Sequence, residues 1–241
     1  MKLALIGYGK MGKTIHEEAV LRGHEVVFIA DKSEDLAVTR LQESGAQAII
    51  EFTHPQSVMA NLEQLLPLQI PLVCGTTGWN AQFDKVQAWV KEHDACFMYS
   101  SNFSIGVNLL FKLNETLAKL MNPYPQYDCF IEEQHHRHKA DAPSGTALSL
   151  AEDILGNLER KNKIATDSLL HRKPEADELS VGYIRGGEIV GRHKVYYSSE
   201  TDTITLEHHA HNRKGFAIGS VVAAEWLQGK RGFYHFSEVF G

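Results

Sequence analysis

The sequence predicts an α/β protein with an N-terminal doubly wound parallel sheet and an inserted α+β domain built on an open mixed or antiparallel sheet. Over the first hundred residues, short apolar runs alternate with amphipathic stretches of helical length, which is typical of βαβ units around a buried parallel sheet. A glycine-rich turn follows the first run. Beyond Phe103, glycines and charges interrupt the strand-like segments, as in a sheet with one solvated face.

The first hundred residues predict five strands and four helices. Each run of four or five mainly apolar residues predicts a strand, and apolar residues three and four positions apart, such as Phe83, Val86 and Val90, predict helices between them. Gly23 follows the first helix, where a left-handed residue is expected. The predicted strands are residues 3–6, 26–30, 48–52, 71–74 and 96–99, and the predicted helices are residues 11–21, 35–42, 56–66 and 80–91.

The second half of the chain predicts a separate domain that precedes a C-terminal helix. We expect a helix over residues 107–121, a strand over 128–133, a helix from Gly145 to about Arg160, and a polar connection over 161–178. Strands are expected over 181–184, 188–190, 194–198 and 203–209, and a helix over 216–227. The expected domains are therefore residues 1–103 plus 214–241 and residues 104–213.

Composition narrows the class of protein. The net charge of −6 argues against a nucleic-acid-binding surface, which needs a concentrated basic stripe. Cys74, Cys96 and Cys129 lack CxxC spacing, which favours a reducing compartment over a disulfide scaffold. No run approaches the ~18 apolar residues of a membrane span, and the apolar N-terminal stretch is too short for a signal peptide. We expect a cytoplasmic protein with no nucleic-acid or membrane partner.

The turn after the first predicted strand predicts a dinucleotide site. It has the GxGxxG pattern between a strand and a helix. Its first glycine permits the tight turn, the second lets the backbone approach the pyrophosphate, and the third lets helix and strand pack closely. Phosphates bind at the positive end of the helix dipole, so a Rossmann domain is expected. The cofactor-binding residues of this turn are Gly7, Tyr8, Gly9, Lys10, Met11 and Gly12.

Asp31, at the end of the second predicted strand, is placed to accept hydrogen bonds from the adenosine ribose. The alternative is a solvated acid that starts a turn with Lys32 and Ser33. A carboxylate repels a 2′-phosphate and so favours NADH, whereas Lys32 and Lys10 could offset that repulsion. We therefore expect use of both NADH and NADPH, with a preference for NADH.

Two further loops follow predicted strands at their carboxyl ends, where ligands bind in open α/β sheets. Their glycines allow close backbone approach, and their hydroxyl and amide groups can bond to ribose and carboxamide. Either loop alone could equally be a simple turn. The loops are Gly75, Thr76, Thr77 and Gly78, and Ser100, Ser101, Asn102 and Phe103.

Five consecutive basic residues stand at positions 135–139 of this acidic protein. The loop that follows opens a helix, with Ser144 as N-cap and free backbone amides at Gly145 and Thr146. A small polyanion could be held between these amides and the basic run, and a histidine there could donate a proton. The alternative is a solvated charged loop. The basic residues are His135, His136, Arg137, His138 and Lys139.

No metal site is predicted from the histidines. Adjacent histidines on a strand point to opposite sides, and no cysteine or spaced histidine completes a tetrahedral set with them. His208, His209 and His211 are interpreted as polar residues at a strand end. His16 lacks the second histidine of a zinc-protease helix and is interpreted as helix surface.

With these residues in view, the chain resembles the 4-hydroxy-tetrahydrodipicolinate reductase (dihydrodipicolinate reductase) family of bacterial and plant lysine biosynthesis. Residues 135–147 carry the family pattern HHxHKxDAPSGTA after a glutamate-rich strand end. Segments 75–78, 102–108 and 185–191 also look like family segments. Three features depart from the family pattern: Ser100-Ser101 replaces a common Ala-Ala, the glycine loop is one residue shorter than in many members, and the segment around residues 169–179 is shortened.

The resemblance implies hydride transfer from NADH or NADPH to a cyclic unsaturated dicarboxylate, yielding tetrahydrodipicolinate. It implies that His135 is the proton donor with Lys139 as its partner, and that His136, Gly145 and Thr146 bind the substrate carboxylate. It also implies a homotetramer assembled through the inserted sheet, with hinges near residues 103 and 213. Two alternatives remain from the residues alone: another small Rossmann amino-acid dehydrogenase, or a non-catalytic dinucleotide-sensing module.

Overall fold

In the computed structural model, residues 1–31, 36–166 and 171–241 are described, and they divide into two units. The nucleotide unit consists of Met1–Ile105 with Lys214–Gly241, and the inserted unit consists of Gly106–Arg213. No helix in the described ranges has the length and apolar character needed to cross a membrane.

The nucleotide unit is built on six parallel strands in the order β11-β5-β4-β3-β1-β2. The order reverses direction between β1 and β3, which leaves a crevice at the carboxyl ends of those two strands. The strands are β1 (Lys2–Ile6), β2 (Glu25–Ala30), β3 (Ala48–Glu51), β4 (Leu72–Cys74), β5 (Cys96–Tyr99) and β11 (Gly232–His235). The helices are α1 (Lys10–Leu21), α2 (Val38–Glu43), α3 (Val58–Leu65), α4 (Phe83–Glu92) and α7 (Lys214–Trp226).

Alternating residues of β1 enter two different hydrophobic clusters. Ala4 and Ile6 belong to one cluster, and Leu3 and Leu5 belong to the other. Since successive side chains of a strand point to opposite faces, both faces of the sheet are covered. The predicted doubly wound fold is confirmed.

The inserted unit has a five-stranded mixed sheet in the order β10-β9-β6-β8-β7. Strand β6 is parallel to β8 and antiparallel to β9. The helices α5 and α6 contribute Leu110 and Leu150 to one apolar cluster with the buried residues of the sheet. The elements are α5 (Ile105–Met121), β6 (Asp128–His135), α6 (Gly145–Asn157), β7 (Lys163–Ala165), β8 (Glu178–Arg185), β9 (Gly191–Ser198) and β10 (Thr203–Ala210).

Some sequence-based boundaries were wrong. The segment predicted as a connection contains the short strand β7, and the predicted strand at residues 188–190 is part of the turn between β8 and β9. The final strand β11 was not predicted. Strand β6 continues two residues beyond its predicted end, so that His135 is its last residue.

Candidate active site

A cavity of about 640 Å³ opens at the crevice of the nucleotide unit. It lies at the carboxyl ends of β1 and β3, where open α/β sheets bind ligands, and its size suits a small molecule or part of a cofactor. The residues that line it are Gly7, Tyr8, Gly9, Lys10, Met11, Gly12, Asp31, Phe52, Thr53, His54, Gln56 and Ser57.

The three glycines of the turn occupy different surroundings. Gly7 has a φ of +93°, and a Cβ there would overlap the carbonyl group of Phe52. A Cβ at Gly12 would overlap the carbonyl of Gly7, so the helix packs against the turn only because this position lacks a side chain. Gly9 faces open space and caps α1 without a side-chain hydrogen bond. The first amides of α1 therefore remain available to an anion.

Asp31 is tied to the glycine turn. Its carboxylate accepts a hydrogen bond from the backbone N–H of Tyr8 at 3.2 Å, and the Tyr8 hydroxyl lies 2.7 Å from Nδ1 of His16. Asp31 is exposed and lines the cavity. Lys32, the other residue expected near the ribose, lies outside the described residues.

The two further loops lie at the same edge of the sheet, after β4 and β5. Thr76 is buried, and its Oγ1 accepts the backbone N–H of Thr53 at 2.7 Å. Ser100 Oγ accepts the N–H of Asn102 at 3.1 Å. Gly75 packs where a Cβ would overlap the ring of Phe52, and Thr77 and Ser101 are exposed.

Phe103 does not present its ring to solvent. The side chain is 1% exposed and packs 4.9 Å from the ring of Phe236. Only the backbone at this position can therefore face a ligand.

Sequence reasoning missed the segment that follows β3. Thr53, His54, Gln56 and Ser57 line the cavity, and their position after a strand at the reversal of strand order is the signal that could have found them. Beneath them lies Glu51, which is fully buried and accepts hydrogen bonds from Thr53 and Asn61 and from the Cys74 thiol. Burial raises the pKa of Glu51.

In the inserted unit, the last residues of β6 form a second site. The alternating pattern of β6 turns Glu133 and His135 toward the same buried side. His135 Nδ1 is hydrogen-bonded to Glu133 Oε2. Glu133 Oε1 accepts the backbone N–H of Ser144 at 3.0 Å and Nη2 of Arg185 at 2.7 Å.

Glu133 carries a stabilised negative charge. Burial raises the pKa of Glu133, but the hydrogen bonds from His135 and Arg185 outweigh it and lower the pKa to about 2. The neighbouring His193 is 4% exposed, and its ring centroid is 5.1 Å from that of His135. Burial, and then the charge of His135, lower the pKa of His193 to about 4.

The loop after β6 leads into α6. Ser144 is the N-cap of this helix, and its Oγ accepts the backbone N–H of Ala147 at 3.3 Å. The Cβ position of Gly145 has nothing within 4 Å. The amide end of α6 is thus tied through Ser144 to the same Glu133 carboxylate that holds His135.

The remaining basic residues of the loop differ in their surroundings. Lys139 Nζ lies 2.8 Å from Asp141 Oδ1. The hydrogen bond from Lys139 lowers the pKa of Asp141. His136 is half-buried, and its Nδ1 is buried without a hydrogen-bond partner among the described residues. Arg137 and His138 are exposed.

One group of ligand-type side chains is close enough to consider a metal. Among the described residues, Glu133, His135 and His193 bring ligand atoms within 4.8 Å of one another. Both Glu133 oxygens already accept hydrogen bonds, and the Arg185 cation lies 2.7 Å away. A divalent cation would have to displace the His135 contact beside a positive charge. We assign no metal to this cluster.

The fold and the two sites together indicate the class of protein. A glycine turn at the crevice of a doubly wound sheet, joined in the chain to a second unit with a buried histidine–carboxylate pair, is the organisation of a nicotinamide-dinucleotide-dependent oxidoreductase. The chain belongs to the dihydrodipicolinate reductase family. Residues 1–103 match the family model described as Dihydrodipicolinate reductase, N-terminus, and residues 106–240 match the one described as Dihydrodipicolinate reductase, C-terminus.

Relatives with this description extend over nearly the whole chain. The chain is 39% identical over 239 residues to the 4-hydroxy-tetrahydrodipicolinate reductase of Christiangramia forsetii, covering 99% of this chain and 97% of that protein. It is 36% identical over 255 residues to the enzyme of the same description from Archaeoglobus fulgidus, covering 97% of each. This membership does not support the two alternatives, an amino-acid dehydrogenase and a non-catalytic module.

A solved structure shows the same fold. The dipicolinate-bound dihydrodipicolinate reductase from Paenisporosarcina sp. TG-14 superposes with a TM-score of 0.77 over 99% of this chain and 98% of that chain, at 21% identity. Membership of the dihydrodipicolinate reductase family makes the chain an oxidoreductase that uses a nicotinamide dinucleotide.

Proposed function

We propose that the chain reduces 4-hydroxy-tetrahydrodipicolinate to tetrahydrodipicolinate with NADH or NADPH, in the biosynthesis of lysine and diaminopimelate. The observation that carries the proposal is His135, which is buried and hydrogen-bonded to Glu133. His135 is the first residue of the motif over residues 135–147. Membership of the dihydrodipicolinate reductase family supports the same reaction.

The dinucleotide supplies a hydride to carbon when it is bound. The residues proposed to hold it are Gly7, Tyr8, Gly9, Lys10, Met11, Gly12, Asp31, Lys32, Gly75, Thr76, Thr77, Ser100, Ser101, Asn102 and Phe103. The overlaps that a Cβ would make at Gly7 and Gly12, and the uncapped start of α1, fit a diphosphate at this turn.

The inserted unit supplies the proton. The substrate hydroxyl leaves as water, and the conjugated imine that results accepts hydride at carbon. The charge that develops must be neutralised by a nearby acid. We assign this proton to His135 with Lys139 as its partner, and we assign the substrate carboxylates to His136, Gly145 and Thr146. The exposed amide end of α6 suits a carboxylate.

Replacing His135 by alanine tests this assignment. We expect turnover to fall by roughly 10²- to 10⁴-fold, because general-acid catalysis contributes about that much, while NADH affinity barely changes. The assay follows NADH absorbance with freshly condensed aspartate semialdehyde and pyruvate. His138→Ala is the matched control, since His138 is an exposed histidine of the same loop. Near-normal turnover of His135→Ala would remove His135 from this role.

We propose a preference for NADH over NADPH. Asp31 is exposed beside the glycine turn, where its charge repels a 2′-phosphate, and Lys10 lines the same cavity and offsets part of that repulsion. Michaelis constants for NADH and NADPH measure this preference. A value for NADPH well below that for NADH would overturn the preference.

We also propose a cytoplasmic homotetramer that assembles through the sheet of the inserted unit. Tyr183, Ile184 and Ile204 on this sheet are 37%, 50% and 39% exposed, and exposed apolar side chains favour an interface. The proposed hinges near residues 103 and 213 lie close to the division between the units. Light scattering of the purified protein tests the tetramer.

A further inference from the structure

Glu133 is a carboxylate with no solvent exposure that has three hydrogen-bond partners in the second site. Its oxygens accept hydrogen bonds from His135, from Arg185 at the end of β8, and from the backbone of Ser144 before α6. A buried charge persists only where such partners compensate its lost hydration. The sequence offers two adjacent glutamates here, and only Glu133 faces this side of the sheet.

The contact with His135 determines which of its ring nitrogens is free. A negatively charged carboxylate can only accept, so Nδ1 of His135 must carry a hydrogen. Nε2 is therefore the nitrogen left for a ligand. Gly191 leaves room beside it, because a Cβ at that position would lie 3.1 Å from His135 Nε2.

The second oxygen of Glu133 acts on a different part of the site. It holds the N–H of Ser144, the residue that caps α6. The carboxylate thus joins the end of β6 to the beginning of α6 through two hydrogen bonds. Glu133 therefore helps to set the distance between His135 and the amide end of α6.

Other charged and titratable groups lie near the Glu133–His135 pair. Arg185 on β8 contacts Glu133, and His193 on β9 packs against the His135 ring. The charges of His208 on β10 and of Lys139 act on His193, and the Asp141 carbonyl accepts a hydrogen bond from Arg185. Of these, only Asp141 is an acid, and it is paired with Lys139.

We propose that Glu133 is a positioning residue that selects the Nδ1–H tautomer of His135 and sets His135 against the amide end of α6. This inference rests on the proposed function, in which the imidazolium of His135 gives its Nε2 proton to the substrate, is left as the neutral Nδ1–H tautomer that Glu133 stabilises, and the amides bind a carboxylate. Glu133 itself touches neither substrate nor cofactor in this assignment.

The variant Glu133→Gln distinguishes the effect of the His135 contact from that of the Ser144 contact. A glutamine has one accepting oxygen, and Arg185 and the Ser144 N–H both require it. Its NH₂ group then faces Nδ1 of His135 and imposes the opposite tautomer. We expect kcat to fall on the order of 10²- to 10⁴-fold, as for the loss of a correctly protonated histidine, with little change in the substrate KM or in NADH affinity. Glu133→Ala removes both contacts, so it should also raise the substrate KM.

The matched control is Glu132→Gln. Glu132 is the preceding residue on β6, and its carboxylate contacts Gln134 and Tyr196 instead of His135. We expect this variant to keep wild-type kinetics. Circular dichroism verifies that all variants are folded.

The tautomer is measured directly by ¹⁵N NMR of the histidine ring. In the wild-type protein we expect the neutral ring of His135 to carry its hydrogen on Nδ1, and in Glu133→Gln on Nε2. A wild-type ring with its hydrogen on Nε2, or a folded Glu133→Gln protein with an unchanged tautomer or unchanged kcat, would overturn the inference. If the wild-type protein consumes no NADH in the absorbance assay, the proposed function is overturned instead, and the NMR result still stands because it requires no turnover.

Discussion

Gly191 begins β9 directly against the imidazole ring of His135, and its lack of a side chain is a condition of the site. A Cβ there would lie 3.1 Å from His135 Nε2 and 3.6 Å from His193 Cε1. Both rings are nearly buried, so neither can easily move away. The smallest possible addition at residue 191 therefore affects the nitrogen proposed to act.

We predict that Gly191→Ala reduces kcat/KM for the substrate and destabilises the protein by about 1–3 kcal/mol, the usual cost of overpacking. Urea unfolding and the absorbance assay measure the two effects. Gly182→Ala on β8 is the control, because its Cβ would meet only the Ile131 carbonyl at 3.8 Å, an ordinary contact. Equal activity of the two variants would show that the space beside His135 is not required.

His193 predicts how stability depends on pH. Burial, and then the charge of His135, lower the pKa of His193 from 6.5 to about 4, so the folded protein keeps this ring neutral while the unfolded chain protonates it below pH 6.5. The unfolded state binds more protons in this window, and stability therefore falls as the pH drops from 6.5 to 4.

The loss should amount to about 3 kcal/mol for a shift of this size. Urea titrations at several pH values compare the wild-type protein with His193→Gln, in which this part of the slope should disappear. If the wild-type stability between pH 6.5 and 4 parallels that of the variant, His193 is not held neutral by the fold.

The residues of the site were only partly predictable from the sequence. The glycine turn and the basic loop stand out because their residue types and spacing are local. Glu133 does not, since two adjacent glutamates look alike until the facing side of the strand is known. Extending the period-two pattern of Cys129 and Ile131 along β6 would have selected Glu133 and His135 as its buried members.

At the scale of elements, α1 depends on two glycines for different reasons. Gly12 permits packing against the turn, whereas Gly9 faces open space. An alanine at position 12 should therefore reduce stability, whereas an alanine at position 9 should reduce cofactor binding.

We predict that Gly9→Ala leaves the melting temperature unchanged and weakens NADH binding by about tenfold or more, which corresponds to roughly 1.4 kcal/mol. The added methyl group lies where the backbone must approach the diphosphate. Gly12→Ala should lower the melting temperature, because its Cβ overlaps the Gly7 carbonyl. Calorimetric titration with NADH and thermal unfolding measure both. Unaltered NADH affinity in Gly9→Ala would contradict a diphosphate at this turn.

Element prediction succeeded where the pattern is long and failed where pairing is decided by tertiary contacts. The helices α1 and α5 and the central strands of the nucleotide unit have strong local periodicity. Strand β7 has three residues, and β11 is an edge strand of the described sheet that pairs with β5, far away in the chain. Helix α6 lies between β6 and β7 in the chain, and such a crossover lets the strands that follow run parallel to β6, as β8 does.

At the scale of the whole molecule, the two proposed ligand sites belong to different units. The glycine turn lies in the nucleotide unit, and the loop at 135–146 lies in the inserted unit. Alternation of strands and helices predicted a change of architecture near residue 103. Assembly was not derivable from local patterns, because an interface depends on surfaces that the fold creates.

We predict that each ligand protects its own unit from amide hydrogen exchange. NADH alone should slow exchange at residues 7–12 and 75–78, and pyridine-2,6-dicarboxylate should slow it near residues 135–147, because bound ligand opposes local opening. Mass spectrometry of peptides from each unit measures this. Protection by NADH that is confined to the inserted unit would contradict the assignment of the cofactor site.

The position of α7 and β11 also has a consequence for biosynthesis on the ribosome. Strand β11 completes the six-stranded sheet, and α7 packs Ala217 and Val221 against the same core as β1. Since translation proceeds from the N-terminus, residues 106–213 emerge before the nucleotide unit has its last strand. The nascent chain therefore holds the first five strands of that sheet unfinished while the later unit is already complete.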